Sequence, residues 1–196
     1  MNETSLANAA LRMLGAARIG DLSTERSPEA ECIRDVWALT ADSLLRSHRW
    51  NFAKRSVVLA RTPEGLWPLP ADCLRVLKVN RLPAGLRNGP EVFGGALKMP
   101  EDSLTVSAVT IDCIYRVPVE EWDPAFCLVF QHLLAAQIAP GLSAASGKAA
   151  ELKQQARDAI LAAIEANAIE TAPLVIGACG NTNVSDTWLH AFLAGA

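Results

Sequence analysis

One long helix and its abrupt end constrain the fold more than any other part of the sequence. Apolar residues between Ser27 and Ser47 recur with the spacing of one helical face, at Ile33, Val36, Trp37, Ala41, Leu44 and Leu45. Ser27 can cap the first turn, and Pro28 fits the first helical position. At 1.5 Å per residue this helix is roughly 30 Å long, which is enough to span a small domain.

The pattern changes directly after this helix, at His48-Arg49-Trp50-Asn51-Phe52-Ala53. Trp50 and Phe52 alternate with a polar residue, and the segment 56–60 then has the composition of a strand. Large aromatic side chains are usually buried, and they fill the space where two layers meet. We therefore expect Trp50 and Phe52 to form a structural corner, buried between a helical layer and a β layer.

Similar signals predict the other elements. Helices are expected at about 3–14, 28–48, 124–139 and 146–170, and strands at 56–60, 74–82, 91–93, 97–99 and 109–117. Asn88-Gly89 and Gly94-Gly95 are typical of two-residue hairpin turns, whereas 66–70 has too much proline for a central strand. The predicted fold class is α+β, mainly α: a four-helix bundle of long helices with an inserted small antiparallel β domain at about 54–118.

Pro173 is expected to end the fourth helix, which divides the chain into a domain at 1–172 and a C-terminal arm at 173–196. The arm ends in large apolar residues that fall on one side of a short helix: Trp188, Leu189, Phe192 and Leu193. Such a patch is typical of a partner interface, with the aromatic residues as anchors. Packing of the patch on its own domain is the alternative.

Composition and charge exclude several classes of protein. The chain is 51% hydrophobic, yet no segment approaches the roughly 18 apolar residues of a membrane span. Residues 1–5 lack the features of a signal peptide, so we expect a protein made and kept in the cytoplasm, with no membrane partner. The net charge is −3, and the densest basic patch surrounds the corner: Arg46, Arg49, Lys54, Arg55 and Arg61. This patch is interpreted as a solvated helix end, with nucleic-acid contact as the alternative.

No motif for catalysis is evident. The five cysteines and three histidines are far apart, so a metal site is not expected. The segment 141–149 imitates a phosphate-binding loop, but it has five residues between its glycines, and Ala149 replaces the Ser or Thr that would hold magnesium. No serine or cysteine has an activating neighbour in the sequence. We therefore expect a protein that is not an enzyme and has no catalytic residues, cofactor or metal.

Four stretches, taken in order, resemble motifs of one family. They are Leu6–Gly15, Leu44–Ala53 with Leu59-Ala60, Leu69–Val76, and Ile114–Val117 with Trp122–Phe126. The second is similar to the "lL..hpWnFA....La" signature, and the third to "LPaDclRv". On these motifs the chain resembles the tailed-phage head-to-tail adaptor (connector) family, whose relatives are like tail tubular protein A. The similarity covers about residues 4–170.

This resemblance implies a structural virion protein at the head–tail junction, made in the host cytoplasm. Its ring, a dodecamer in the family, would bind the portal protein and a downstream tail or nozzle protein. Duplex DNA would pass through the continued channel without specific binding. The alternative function is a small cytoplasmic helical protein that binds or regulates a partner without catalysis, and the two differ in whether a closed ring forms on the portal.

Overall fold

The structure, a computed structural model, describes residues 1–80, 89–99, 107–142 and 146–171. Its helices are α1 (Glu3–Leu14), α2 (Pro28–Ser47), α3 (Pro124–Ile138) and α4 (Ser146–Thr171). Its strands are β1 (Lys54–Ala60), β2 (Leu66–Pro68), β3 (Cys73–Asn80), β4 (Glu91–Phe93), β5 (Ala96–Lys98) and β6 (Ala108–Tyr115). Short 3-10 turns at Asn51–Ala53 and Val119–Glu121 precede β1 and α3.

The prediction of a four-helix bundle of long helices is wrong. Within the described ranges, the four helices accompany two three-stranded antiparallel sheets, and α1 and α3 are short, at 12 and 15 residues. The helices α1, α2 and α4 all pack on α3, which is buried over most of its circumference. Cys127, Gln131 and Ala135 are buried in addition to the large apolar residues Phe126, Val129, Phe130, Leu134 and Ile138. A helix that is apolar nearly all round occupies the centre of a domain, so the four helices do not share one central core as equals.

The β region forms two sheets instead of one small domain. The large sheet has the order β1-β6-β3, and the small sheet has the order β2-β5-β4. Trp67 lies on β2, an edge strand as its prolines require, and its side chain is fully buried. Gly94 and Gly95 join β4 to β5 with φ of 58° and 76°, and both values are positive, as the expected two-residue turn requires.

The large sheet lies between two hydrophobic cores. Alternate residues of β6 (Val109, Ile111, Cys113) pack with Trp67 and Leu97 of the small sheet. Ile114, on the opposite face of β6, belongs to the helical core. Register shifts in β3 leave Leu74 and Leu77 outside the regular pairing, and both residues pack on the helical core.

Local capping residues mark the start of three helices, and Ser27 is the cap predicted for α2. Asn2 accepts a hydrogen bond from the amide of Ser5, and Ser27 and Asp123 cap α2 and α3 ahead of a first-turn proline. Gly15 ends α1 with φ of 69°. The boundary expected near Pro173, the arm at 173–196 and the residue Asn88 lie outside the described residues.

Candidate functional site: the aromatic corner and two charged surfaces

The aromatic corner is the junction formed by His48–Ala53. Trp50 is only 2% exposed, and its indole nitrogen donates a 2.9 Å hydrogen bond to the carbonyl of Leu44 in the last turn of α2. The same carbonyl accepts a hydrogen bond from the Ser47 hydroxyl at 2.7 Å, so two side chains bond the last turn of α2, and the buried indole nitrogen is satisfied. The ring of Trp50 also packs edge-on against Phe126 of α3, with ring centroids 5.2 Å apart.

Phe52 is only half-buried, so the expectation of two buried aromatic side chains holds fully for Trp50 and in part for Phe52. The Phe52 ring contacts Phe126 at 5.0 Å between centroids. A further group of rings joins α2 to α3, because Trp37 contacts Phe130 at 4.8 Å and lies parallel to Trp122 at 6.4 Å. The corner is therefore one end of an aromatic layer between the helices.

Asn167 of α4 holds the corner in place. The amide of Asn51 donates to Asn167 Oδ1 at 2.7 Å, and the Asn51 side chain donates to the Asn167 carbonyl at 2.8 Å. Asn167 Nδ2 also donates to the carbonyl of Arg49, and it lies 3.2 Å from His48 Nε2. No local pattern predicts this role, because the pairing spans 116 positions and Asn167 has no motif around it.

A second buried asparagine secures the start of the chain. Asn8 Nδ2 donates to the Ile19 carbonyl, and Asn8 Oδ1 accepts from the Ile19 amide, both at 2.9 Å. This reciprocal pair holds the connector between α1 and α2. Arg34 supports the same connector by donating to the carbonyls of Leu22 and Glu25.

The basic sheet face is the exposed part of the large sheet's helix-facing side, and its cations are Arg49, Lys54, Arg75 and Lys78. Lys54 and Arg75 both lie opposite Ile114, and Lys78 lies opposite Asp112, so these side chains share one face. All four cations are exposed. An open groove of about 510 Å³ crosses this face, lined by Arg49, Lys54, Arg55, Ser56, Leu77, Lys78 and Asp112.

Asp112 is the acidic residue at the centre of this face. Its carboxylate accepts hydrogen bonds from Ser56 at 2.6 Å and from Asn80 at 3.0 Å, one from each flanking strand. These bonds lower the pKa of Asp112, and the charge of Lys78 lowers it further. Asp112 is therefore ionised at neutral pH, and it offsets one of the surrounding positive charges.

The pKa of His48 is affected by the positive charges of this face. Its pKa is lowered, first by burial and then by the nearby charges of Lys54, Arg49 and Arg75. The neutral ring suits its position, since its Nε2 can accept a hydrogen bond from Asn167 Nδ2.

The acidic groove is a cavity of about 430 Å³ beside α2. It is lined by Glu3, Trp37, Ala38, Ala41, Asp42, Leu45, Arg116, Val117, Pro118, Val119, Glu120 and Trp122. Arg116 bonds Asp42 through two contacts, of 2.9 and 2.6 Å, which tie the end of β6 to α2. Both ionic partners are partly exposed, so this pair contributes little stability and mainly sets position.

The basic patch predicted from the sequence is only partly one surface. Arg55 lies over the Tyr115 ring and near Asp72, and Arg61 lies over the Trp67 ring. Arg49 and Lys54 remain on the basic sheet face, where strand pairing adds Arg75 and Lys78. Arg75 also donates to the carbonyl of Arg46 and so caps α2. No local sequence pattern predicts that Arg75 and Lys78 lie on this face, because both reach it by long-range strand pairing.

The buried thiols are poor candidates for nucleophilic chemistry. Burial raises the pKa of Cys73 and Cys127, and it raises the pKa of Cys113 to about 12. Thiolate is the reactive form, so these side chains are inert near neutral pH.

Within the described ranges, no group of three or more His, Cys, Asp or Glu residues is arranged to hold a metal ion. No helix in the same ranges is long and apolar enough to cross a membrane.

The proposed interface residues of the arm, Trp188, Leu189, Phe192 and Leu193, lie outside the described residues, so the structure does not place them.

In comparisons with known proteins, no protein-family model matches the chain. No curated protein sequence matches it either.

Proposed function

We propose that this chain is a structural subunit of a phage head-to-tail adaptor, forming a ring between portal and tail that continues the DNA channel. The observation that carries the proposal is that motif stretches far apart in sequence contact one another in the fold. Trp50 contacts Phe126 at 5.2 Å, and Arg75 donates to the carbonyl of Arg46 at 3.0 Å. The amide of Arg116 donates to the Asp72 carbonyl at 2.8 Å.

These contacts join the second motif to the third and fourth, and the third to the fourth. Such contacts agree with the resemblance, because motifs shared by the members of one fold are expected in the segments that pack together. The first motif takes part through its own packing, since Leu6, Ala7 and Leu11 belong to the helical core together with Trp50 and Phe126. The matched residues therefore act as the residues that hold one fold together.

The same proposal gives the chain no catalytic role. Two buried asparagines are engaged in hydrogen bonds that set backbone position, Asn8 at the connector after α1 and Asn167 at the corner. The buried cysteines have raised pKa values, which disfavours the reactive thiolate. A subunit of this kind works through its surfaces, by binding the portal, a tail protein and its own copies.

Co-sedimentation tests the proposal. The purified full-length chain is mixed with the portal protein of the same phage and separated on a density gradient. The expected result is a saturable complex in which the chain migrates with the portal as a closed ring. A chain that stays at the top of the gradient at every ratio contradicts the proposal.

The alternative function, a small partner-binding or regulatory protein, is favoured by one observation. The basic sheet face offers a ready surface for an acidic partner without any ring. A stable low-order oligomer that ignores the portal would support this alternative.

A further inference from the structure

Two surfaces of the described residues carry opposite charge. The residues lining the groove of the basic sheet face include four cations and one carboxylate. Those lining the acidic groove include three carboxylates (Glu3, Asp42, Glu120) and one cation. The two sets of lining residues have no member in common, so the two grooves are separate surfaces.

Each surface also combines its charge with apolar area. Val58 lies opposite Thr110, on the same face as Lys54, and it is 68% exposed. The wall of the acidic groove contains the half-buried Trp37 and the exposed Ala38. Protein–protein interfaces have this anatomy, in which aromatic and apolar groups lie within a charged rim.

The overall charge favours a protein occupant of the basic sheet face over a polyphosphate. The chain carries a net charge of −3, so a long polyanion is repelled by the rest of its surface. A second copy instead brings a local acidic groove to a local basic face, and contacts of this kind are short-ranged at physiological salt.

We propose that the basic sheet face of one copy docks on the acidic groove of the next copy. This inference rests on the proposed function, because it assigns the contact from which the ring is built. Two different patches meet in this contact, so it is heterologous, and a heterologous contact closes into a ring when its rotation allows. Lys78 and Glu120 are the charges chosen to test it, because both are exposed and neither caps a helix.

A charge-swap experiment tests the contact. Lys78→Glu and Glu120→Lys are made singly and together in the full-length chain. Lys153→Glu, at an exposed position of α4, is the matched control. Association is measured by sedimentation velocity of the chain alone and by ring formation on the portal. Each single change should weaken association about tenfold, the double variant should restore it, and the control should match wild type. Circular dichroism and thermal melting check that every variant is folded.

The outcomes separate this inference from the proposed function. Rings of wild type that persist unchanged in both single variants overturn the subunit contact and leave the adaptor proposal standing. A double variant weaker than either single variant also overturns the contact. If the wild-type chain assembles neither alone nor on the portal, both proposals are overturned. If Lys78→Glu reduces retention of duplex DNA without affecting assembly, the basic sheet face binds nucleic acid and the inference is wrong.

Discussion

At the scale of single residues, a few polar side-chain atoms position the backbone through hydrogen bonds. The indole nitrogen of Trp50 bonds the last turn of α2, while Asn167 bonds the segment that follows it. Removing one partner of such a bond leaves a buried donor or acceptor unsatisfied, which costs more than the bond itself contributes. The corner therefore depends on a few side chains whose loss is not compensated nearby.

Trp50→Ala should lower the free energy of unfolding by about 3–5 kcal/mol, because it removes a large side chain that is 2% exposed. Denaturant unfolding measures the change. Phe93→Ala is the control, since Phe93 is 74% exposed and its replacement should leave the midpoint near that of wild type. An unchanged midpoint in Trp50→Ala would contradict the buried corner.

The lowered pKa of His48 leads to a specific prediction for the pH dependence of stability. Its folded-state pKa lies below the ordinary value of about 6.5, so the unfolded chain takes up a proton first as pH falls. The free energy of unfolding is therefore fully retained above about pH 6.5 and decreases as pH falls from there toward the folded pKa. Denaturant midpoints at about pH 7.5 and about pH 5.5 should differ more in wild type than in His48→Gln. Equal differences in the two proteins would show that His48 is not the cause.

At the scale of elements, local signals predicted the ends of helices well, and long-range pairing limited the rest. Ser27 was recognisable as a cap because capping needs only neighbours in sequence. Asn167, Arg75 and Lys78 reach their places through contacts far along the chain, which no local period reveals. The central position of α3 was missed because one apolar stripe does not show that the other sides are also covered.

The arm at 173–196 is predicted to act as an attachment element. Deleting residues 174–196 should leave the domain folded, because the helical core of the described residues is built from residues 6–164, and should abolish attachment to the portal or to the adjacent subunit. Circular dichroism, thermal melting and portal co-sedimentation of the truncated and full-length proteins test this. A markedly lower melting temperature with attachment retained would mean that the arm packs on its own core.

At the scale of the whole molecule, the described residues form a helical layer and two sheets with two hydrophobic cores. Sequence patterns predicted mixed α and β structure and the order of its segments. They did not predict that β6 lies between β1 and β3, or that the β region splits into two sheets. Strand order depends on packing between distant segments, whereas periodicity reports only how each segment is exposed.

Net charge leads to a prediction about DNA. Twelve copies at −3 each would give a ring of about −36, which repels a phosphate backbone. The isolated protein should therefore not bind duplex DNA tightly, and we expect a neutral or acidic channel lumen with the cations elsewhere. Electrophoretic mobility shift at low and physiological salt measures this. Tight binding that weakens steeply with salt would contradict the expectation.

Electron microscopy of the full-length chain mixed with its portal tests the central claim most directly. The adaptor account predicts a closed ring of copies on one end of the portal, with twelvefold symmetry and an open axial channel. Portal particles without added density, beside a stable low-order oligomer of the chain, would contradict it.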